Sequence, residues 1–363
     1  MKKNKNYVDL KDQPVPEGQH LLEVDDLKMY FHTEDGVVRA VDGVSYTLDR
    51  GETLGVVGES GSGKSVTAMT IMGLISMPPG KIEGGDVRYR GRSILEMTEE
   101  EMQHIRGNDI AMIFQDPMTS LNPVYKIGKQ VGEGLRLHRG YSKQEALKRA
   151  TELLDLVGIP EPEKRVNEYP HQFSGGMRQR VMIAMALACD PDILIADEPT
   201  TALDVTIQAQ IIELMQEMQE KNGNAIIMIT HDLGVVADMA DKIMVMYAGR
   251  PVEFGTAEEI FYESRHPYTW GLIRSIPEQA IEEKKPLTPI HGNPPSLMNL
   301  PEGCVFSPRC PYATDKCRKQ RPERVVTESG HSSACHYSGD PEFLKNAPET
   351  SRTRKDSKKG GEA

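Results

Sequence analysis

Long apolar runs are missing from this sequence of 363 residues. The most apolar stretches, AIIMIT and KIMVMY, have the length of a strand, whereas a membrane-spanning helix needs about 20 apolar residues. The polar start, MKKNKNYVDLKDQPVPEGQ, has no apolar core of the kind that defines a signal peptide. We therefore expect a cytoplasmic chain that reaches a membrane only through a partner.

An excess of positive charge is also missing. The 43 Lys and Arg residues are outnumbered by 54 Asp and Glu residues, which gives a formal net charge of −11. Such a chain is a poor electrostatic match for nucleic acid, because phosphate binding relies on Lys and Arg. With 38% hydrophobic and 27% charged residues, the composition is typical of a soluble globular protein.

Cysteine is scarce, with five residues in all. In a cytoplasmic chain, disulfides are disfavoured, and cysteines point to metal binding or to burial as small side chains. Cys304, Cys310, Cys317 and Cys335 are separated by five, six and seventeen residues, which differs from the CxxC pairs of common zinc modules. Cys189 ends the apolar helix VMIAMALAC and is expected to be a buried small residue.

Strand and helix patterns alternate through the first two thirds of the chain. Strand-like segments such as LLEVDDLKMYF, ETLGVVG, DILIAD and NAIIMITHD are separated by helical ones such as SKQEALKRATELLDLV and IQAQIIELMQEMQEK. The short, fully apolar strands are typical of a buried parallel sheet. The sequence therefore predicts an α/β fold.

Changes in composition and periodicity along the chain predict its domain organisation. Residues 1–19 are polar and expected to be mobile, and 20–265 carry the α/β pattern. Residues 266–340 are rich in Pro, contain four of the five cysteines and show little periodicity. The tail, 341–363, has few apolar residues and is expected to be disordered.

The segment GESGSGKS, residues 58–65, matches the phosphate-loop pattern between a predicted strand and a predicted helix. Its glycines allow backbone amides to close on phosphates, Lys64 reaches the outer phosphates, and the Ser65 hydroxyl is suited to ligate Mg²⁺. The residues predicted to bind the nucleotide here are Gly58, Ser60, Gly61, Ser62, Gly63, Lys64, Ser65 and Val66.

Polar side chains follow three other predicted strands. Asp197 and Glu198 come directly after ILIA, Gln115 follows MIF, and His231 follows IIMIT. In open α/β sheets ligands bind at the carboxyl ends of the strands. We therefore predict that Asp197 holds the Mg²⁺ directly or through water, that Gln115 reaches the metal or the attacking water, that Glu198 polarises this water, and that His231 contacts the γ-phosphate.

Together and in this order, these motifs resemble those of the ABC ATPase family. The resemblance covers residues 21 to about 265 and includes Walker A at 58–65, the Q-loop at Gln115, FSGGM at 173–177, Walker B at 193–198, TALD at 201–204 and His231. FSGGM departs at Phe173 and Met177 from the family's usual LSGGQ. The resemblance implies a P-loop NTPase fold, with a RecA-like core and a helical subdomain at about 116–185.

The FSGGM segment opens a second glycine-containing helix without a lysine. By resemblance, two ATPase domains of this family face each other head to tail, and Ser174, Gly175 and Gly176 bind the γ-phosphate of ATP held by the partner's phosphate loop. Asp204 is expected to contact the partner across the interface. An aromatic side chain before the first hairpin loop is expected to stack on adenine; Phe31 is preferred, with Tyr30 and core packing as alternatives.

The residues after 265 narrow the resemblance to one class of importer. HPYTWGLIRSIP and HGNPPSLMNLPEGCVFSPRCPYATDKC are similar to the C-terminal extension of the D-type ATP-binding subunits of peptide/nickel-class ABC importers. This implies an ATP-hydrolysing motor for dipeptide or oligopeptide uptake at the cytoplasmic face of the cell membrane. Nickel or another small solute is the alternative cargo, and a non-transport ABC ATPase is a weaker alternative.

The partners and the cysteine ligand follow from the same resemblance. It implies an F-type ATPase subunit in a heterodimer, two transmembrane permease subunits and, indirectly, an extracytoplasmic solute-binding protein. The cysteine set Cys304, Cys310, Cys317 and Cys335 is similar to that of cluster-binding members, so a [4Fe–4S] cluster is expected first, a structural Zn²⁺ second and free thiols third.

Overall fold

The protein is described by a computed structural model over residues 10–11, 13–199, 205–276 and 289–348. The strands are β1 Leu22–Thr33, β2 Gly36–Leu48, β3 Thr53–Val57, β4 Gly80–Tyr89, β5 Arg92–Ser93, β6 Ile110–Ile113, β7 Ile193–Asp197, β8 Ala225–Thr230, β9 Lys242–Tyr247, β10 Arg250–Thr256, β11 Val325–Val326 and β12 Ser332–Ser333. The helices are α1 Lys64–Ile71, α2 Glu99–Ile105, α3 Pro117–Ser120, α4 Ile127–His138, α5 Lys143–Leu156, α6 Pro162–Arg165, α7 Gly175–Leu187, α8 Val205–Asn222, α9 Leu233–Met239, α10 Ala257–Tyr262, α11 Pro267–Arg274, α12 Asp315–Lys319 and α13 Pro341–Leu344.

The main sheet has eight strands in the order β11-β12-β10-β9-β3-β8-β7-β6. The five strands from β9 to β6 pair in parallel, and β3, β7 and β8 are buried along their whole length. Burial on both faces explains why their sequences are continuous apolar runs rather than alternating ones. The predicted α/β fold is confirmed, and the parallel arrangement brings the carboxyl ends of β3, β8, β7 and β6 to one edge.

A second sheet of four antiparallel strands, in the order β2-β1-β4-β5, packs against this core. Its inward side chains, including Leu22, Leu27 and Met29, share one hydrophobic cluster with residues of α1 and of the main sheet. The alternation of buried and exposed residues along β4 is typical of an antiparallel strand with one solvated face.

Helices α3 to α7 lie between residues 117 and 187 and surround a hydrophobic cluster of their own, which extends to β6, β7 and α8. Local sequence explains where α5 begins. The Ser142 side chain accepts a hydrogen bond from the Glu145 N–H, and the Glu145 carboxylate accepts one from the Ser142 N–H. This reciprocal pair satisfies donors that the first helical turn leaves free.

The segment after residue 265 contains more regular structure than its weak periodicity suggests. Helix α11 buries Trp270, and β12 pairs with β10 through Glu253 and Phe254, so that β12 and β11 extend the main sheet. Strands of two residues have no detectable period, which is why sequence patterns miss them. Trp270 also contacts the rings of Tyr312 and Phe343, which joins α11 to the end of the described chain.

Among the residues that the structure describes, no helix combines the length and the apolar character needed to cross a bilayer.

Candidate functional site

Four loops meet at the carboxyl edge of the main sheet. The loop after β3 is the phosphate loop, and the neighbouring strands β8, β7 and β6 end next to His231, Asp197 and Gln115 respectively. Sequence order separates these residues widely, but parallel pairing of their strands places them side by side. The structure therefore brings together the strand-end residues that were singled out by sequence.

The phosphate loop is closely packed against the backbone beneath it. Gly58 and Gly63 have φ values of 152° and 101°, and a Cβ at either position would clash with the carbonyl of Met246 or Ala40. Gly61 also has a positive φ, of 76°, but open space surrounds it. Two of the three motif glycines are thus required by a close approach as well as by backbone conformation.

Lys64 lies at the start of α1 and is almost fully buried. Its Nζ donates to the backbone carbonyls of Gly58 at 2.7 Å and Glu59 at 3.0 Å. Burial lowers the pKa of Lys64, while the charges of Glu198 and Asp197 act in the opposite direction. The ammonium group is therefore held inside the loop, where a bound anion can exchange for these carbonyls.

Ser65 and Asp197 form the predicted Mg²⁺-ligand pair. The Ser65 hydroxyl donates to Asp197 Oδ1 at 3.0 Å, across 132 residues of sequence. Burial raises the pKa of the Asp197 carboxyl, and the hydrogen bond from Ser65 opposes that shift. One hydroxyl and one carboxylate oxygen in contact are hard oxygen donors, which Mg²⁺ prefers.

Glu198 is held between two other predicted catalytic side chains. Gln115 Nε2 donates to Glu198 Oε2 at 2.9 Å, and His231 Nδ1 lies 3.4 Å from Glu198 Oε1. The Glu198 backbone has φ of 47°, a left-handed conformation that costs a non-glycine residue about 1–3 kcal/mol and is found mostly at functional sites. The structure places all three side chains in one constellation.

An unpartnered buried hydroxyl supports a ligand in the loop. The Ser62 side chain is 3% exposed, and its Oγ has no hydrogen-bond partner within the described part of the chain. Buried polar groups are almost always paired, so such an exception calls for an additional group. Together with the Ser65–Asp197 pair, this orphan hydroxyl fits the binding of a nucleotide phosphate and Mg²⁺. Ser60 is exposed on the loop, and Val66 is half-buried on α1.

The FSGGM segment behaves differently from the phosphate loop. Ser174 caps α7 by accepting a hydrogen bond from the Met177 N–H at 3.3 Å, and both Ser174 and Gly175 are exposed. A Cβ at Gly175 would meet open space. Gly176 is half-buried, and Phe173 at 3% exposure anchors the segment in the helical cluster. Asp204 and the rest of TALD lie outside the described residues.

Tyr30 and Phe31 occupy opposite faces of β1, as strand alternation requires. The Tyr30 hydroxyl donates to Asp42 at 3.0 Å, which engages its polar end. Phe31 is partly buried against the first hydrophobic cluster and pairs across to Gly80 of β4. Stacking of Phe31 on adenine stays a prediction.

The four late cysteines line one small cavity of about 20 Å³, below His266 and Phe306. Cys304, Cys310, Cys317 and Cys335 are free thiols there, and Cys189 is buried elsewhere as expected. Burial raises the pKa of Cys310 to about 11 and that of Cys335 to about 12.

The prediction of a [4Fe–4S] cluster on these cysteines is wrong, and nothing among the described residues supports the alternative of Zn²⁺. In the ranges that the structure describes, no group of three or more His, Cys, Asp or Glu side chains is arranged to hold a metal ion. The sequence predicted that these four cysteines lie together, but it did not predict whether their side chains are arranged to bind a metal.

Sequence reasoning missed two residues that touch the phosphate loop from the C-terminal segment. Arg309 forms an ion pair with Glu59 of the loop, and the Tyr268 hydroxyl accepts a hydrogen bond from the Glu59 N–H. Neither residue belongs to a motif with a local pattern, and 250 residues separate Arg309 from Glu59. The only feature of the sequence that could have pointed to these contacts is the acidic residue Glu59 at the second position of the phosphate loop.

Comparison with known proteins identifies two matching family models. One, described as ABC transporter, matches residues 41–201, and the other, described as the C-terminal region of oligopeptide/dipeptide transporters, matches residues 252–317. The oligopeptide transport ATP-binding protein OppD of Bacillus subtilis (strain 168) is 58% identical over 311 residues, which cover 86% of this chain and 87% of the relative. The dipeptide transport ATP-binding protein DppD of Escherichia coli (strain K12) is 52% identical over 317 residues, which cover 87% and 96%.

A solved structure gives the same result at lower identity. A dimeric ATP-binding cassette in a post-hydrolysis state bound to ADP and Pi is 29% identical, with a TM-score of 0.60 over 65% of this chain and 98% of that one. The predicted heterodimer with an F-type subunit finds no support in these comparisons. The chain belongs to the ABC ATPases of the oligopeptide/dipeptide transporter class, enzymes that bind ATP with Mg²⁺ and hydrolyse it.

Proposed function

We propose that this chain is the ATP-hydrolysing motor of an importer for dipeptides or oligopeptides, and that it works peripherally at the cytoplasmic face of the membrane. The observation that carries the proposal is the constellation of Gln115, Glu198 and His231 beside the Ser65–Asp197 pair. Peptides are the favoured cargo because relatives that match most of the chain are named as oligopeptide and dipeptide transport proteins. Nickel or another small solute is the alternative cargo.

Each side chain of the constellation has a distinct proposed task. Lys64 neutralises the outer phosphates, and Ser65, Asp197 and Gln115 would hold Mg²⁺, which would supply further charge neutralisation. Glu198 orients the attacking water and accepts its proton. Gln115 and His231 contact one carboxylate oxygen of Glu198 each, so they fix its orientation. His231, 61% exposed, remains free to turn towards the γ-phosphate.

A second ATP-binding cassette is needed to complete the site. Ser174 and Gly175 lie exposed at the start of the 13-residue helix α7, where backbone N–H groups and the positive end of the helix dipole suit an anion. We propose that they bind the γ-phosphate of ATP held by the other cassette. The dimeric arrangement of the solved relative bound to ADP and Pi supports this geometry.

The permease is proposed to dock in an apolar groove next to Gln115. This groove, of about 310 Å³, is lined by side chains from both the sheet layer and α7, including Leu74, Met112, Phe114, Met182 and Met185. Phe114 directly precedes Gln115, so a permease loop in the groove touches the backbone that positions the catalytic glutamine. This contact provides a physical route from the ATP site to the membrane subunits.

Solute uptake tests the proposal directly. The gene is deleted in the source cell, and uptake of labelled dipeptides, oligopeptides and nickel is measured after complementation with wild type, Glu198→Gln or Ser174→Arg. We expect peptide uptake with wild type only. The exposed-surface variant Glu220→Gln serves as the control and should restore uptake. Unchanged peptide uptake in the deletion strain, together with lost nickel uptake, would overturn the peptide assignment.

A further inference from the structure

The C-terminal segment makes a two-pronged ion pair with the phosphate loop. Arg309 Nη1 donates to Glu59 Oε2 at 2.5 Å, and Arg309 Nη2 donates to Glu59 Oε1 at 2.9 Å. Such paired hydrogen bonds between a guanidinium group and a carboxylate are stronger and more directional than a single ionic contact. Glu59 is the second residue of GESGSGKS, so the contact falls on the loop that binds the phosphates.

Arg309 is itself held rigidly. Its side chain is 4% exposed, and its remaining N–H groups donate to the carbonyls of His291 at 3.0 Å and Ile290 at 3.2 Å and to the Tyr247 hydroxyl at 3.3 Å. These three partners all lie outside the phosphate loop, so they hold the guanidinium independently of the loop. Glu59 therefore meets a preorganised positive charge rather than a flexible surface cation.

A second contact holds the backbone of the same residue. The Glu59 N–H donates to the Tyr268 hydroxyl at 2.9 Å, and the Tyr268 ring is fully buried against the rings of Tyr247 and Phe306. The Glu59 carbonyl, in turn, accepts from Lys64. Both the amide and the carboxylate of Glu59 are thus occupied by residues that lie outside the loop, in α11 and in the segment after it.

Charge makes this arrangement relevant to ATP. A carboxylate in the phosphate loop repels a triphosphate unless its charge is neutralised, and Asp197 and Glu198 already contribute negative charge to the same site. We propose that Arg309 is a positioning residue of the ATP site, which neutralises the Glu59 carboxylate so that Lys64 and the loop amides can hold the phosphates. The segment after residue 265 is then a working part of the nucleotide site. This inference rests on nucleotide binding by the phosphate loop.

The competing explanation is that the ion pair merely attaches the C-terminal segment to the cassette. The two explanations differ in the effect of neutralising Glu59. If Arg309 acts on ATP by cancelling the Glu59 charge, Glu59→Gln removes the need for Arg309. If the pair only attaches the segment, then Arg309→Met and Glu59→Gln break the same contact and have the same consequence.

The experiment is a double-mutant cycle in the full chain, with the Kd for a non-hydrolysable Mg–ATP analogue, kcat and KM as readouts. We expect Arg309→Met to weaken binding about ten- to hundredfold, which is about 1.4–2.8 kcal/mol, because the Glu59 carboxylate left without a counter-ion repels the triphosphate. Glu59→Gln and the double variant should both bind within about threefold of wild type. Added salt should narrow the gap between Arg309→Met and wild type, because it screens repulsion.

Arg318→Met is the matched control, since Arg318 lies in the same segment, is 58% exposed and pairs with Asp315 instead of the loop. If Arg309→Met does not fold, Arg309→Lys is used instead: it keeps the positive charge but loses the two-pronged contact, so we expect it to weaken analogue binding by less than about tenfold. A double variant that binds the analogue no more tightly than Arg309→Met overturns the proposal. An Arg309→Lys variant whose binding is weakened about a hundredfold or more also overturns it. Wild-type protein that binds no analogue overturns nucleotide binding itself, which is a distinct outcome.

Discussion

The replacement of Glu198 by Gln gives the sharpest test of the hydrolytic mechanism. Gln has nearly the same volume as Glu and keeps one oxygen, so it opens no cavity between Gln115 and His231. It loses the negative charge and the ability to accept a proton from water. The Glu198 carboxylate lies 2.9 Å from Gln115 and 3.4 Å from His231, so the substitution changes chemistry while the surrounding contacts persist.

The expected magnitude follows from these contacts. Loss of a positioned general base typically costs 10²–10⁴-fold in rate, which corresponds to about 2.7–5.5 kcal/mol in the barrier. ATP binding should be unchanged or tighter, because the charge of Glu198 acts on the site that also contains Lys64 and Asp197. Removing one negative charge there reduces repulsion of the triphosphate. We therefore expect kcat to collapse while Kd stays within about threefold or falls.

The assay is phosphate release by the chain purified with its transporter complex, alongside equilibrium binding of ATP at a temperature where turnover is slow. Glu220→Gln, an exposed change on α8, controls for the loss of one carboxylate. Retention of more than about a tenth of wild-type turnover would refute the role of Glu198 as the base. Loss of ATP binding along with turnover would show instead that Glu198 supports the loop.

Stability measurements at two other sites give independent checks of the packing. His266 is completely buried, which lowers its pKa from 6.5 to about 3, so the unfolded chain takes up a proton between these pH values and the folded chain does not. Wild type should therefore lose up to about 1.4 kcal/mol of stability per pH unit as the pH falls through that window. His266→Asn, which keeps an acceptor for the Tyr268 N–H, should lose less. Equal pH slopes of the free energy of unfolding in urea would contradict this expectation. Asp192→Asn should cost about 3–5 kcal/mol in the free energy of unfolding, because it leaves Arg90, only 4% exposed, without its counter-ion. A loss below about 1 kcal/mol would contradict the role of this buried ion pair.

The phosphate loop and the strand-end residues could be predicted because their chemistry is carried by local order and residue type. A glycine-rich loop needs only its own residues and its place between a strand and a helix to be recognised. Alternating apolar strands and helices predict a parallel sheet, and a parallel sheet brings Asp197, Glu198, His231 and Gln115 to one edge. Sequence alone therefore identified both the fold class and the residues that meet there.

The prediction of a [4Fe–4S] cluster failed because the spacing of cysteines along the chain does not determine how their side chains are arranged in space. Four cysteines in a proline-rich segment were expected to converge, and they do line one cavity. The arrangement of the four side chains and the burial of their thiols depend on how Phe306, His266 and their neighbours pack around the cavity. Neither property is encoded in the number of residues between the cysteines.

Contacts between distant segments were decided by the tertiary structure alone. Asp192 accepts hydrogen bonds from Tyr89 and Arg90, across about one hundred residues, and so ties the antiparallel sheet to the start of β7. Arg309 reaches Glu59 across 250 residues. Such pairs form because packing of the hydrophobic clusters excludes water, and a charge removed from water is costly unless an opposite charge lies beside it. Local propensity and motif order determine each segment, but only the packed chain determines which charges face one another.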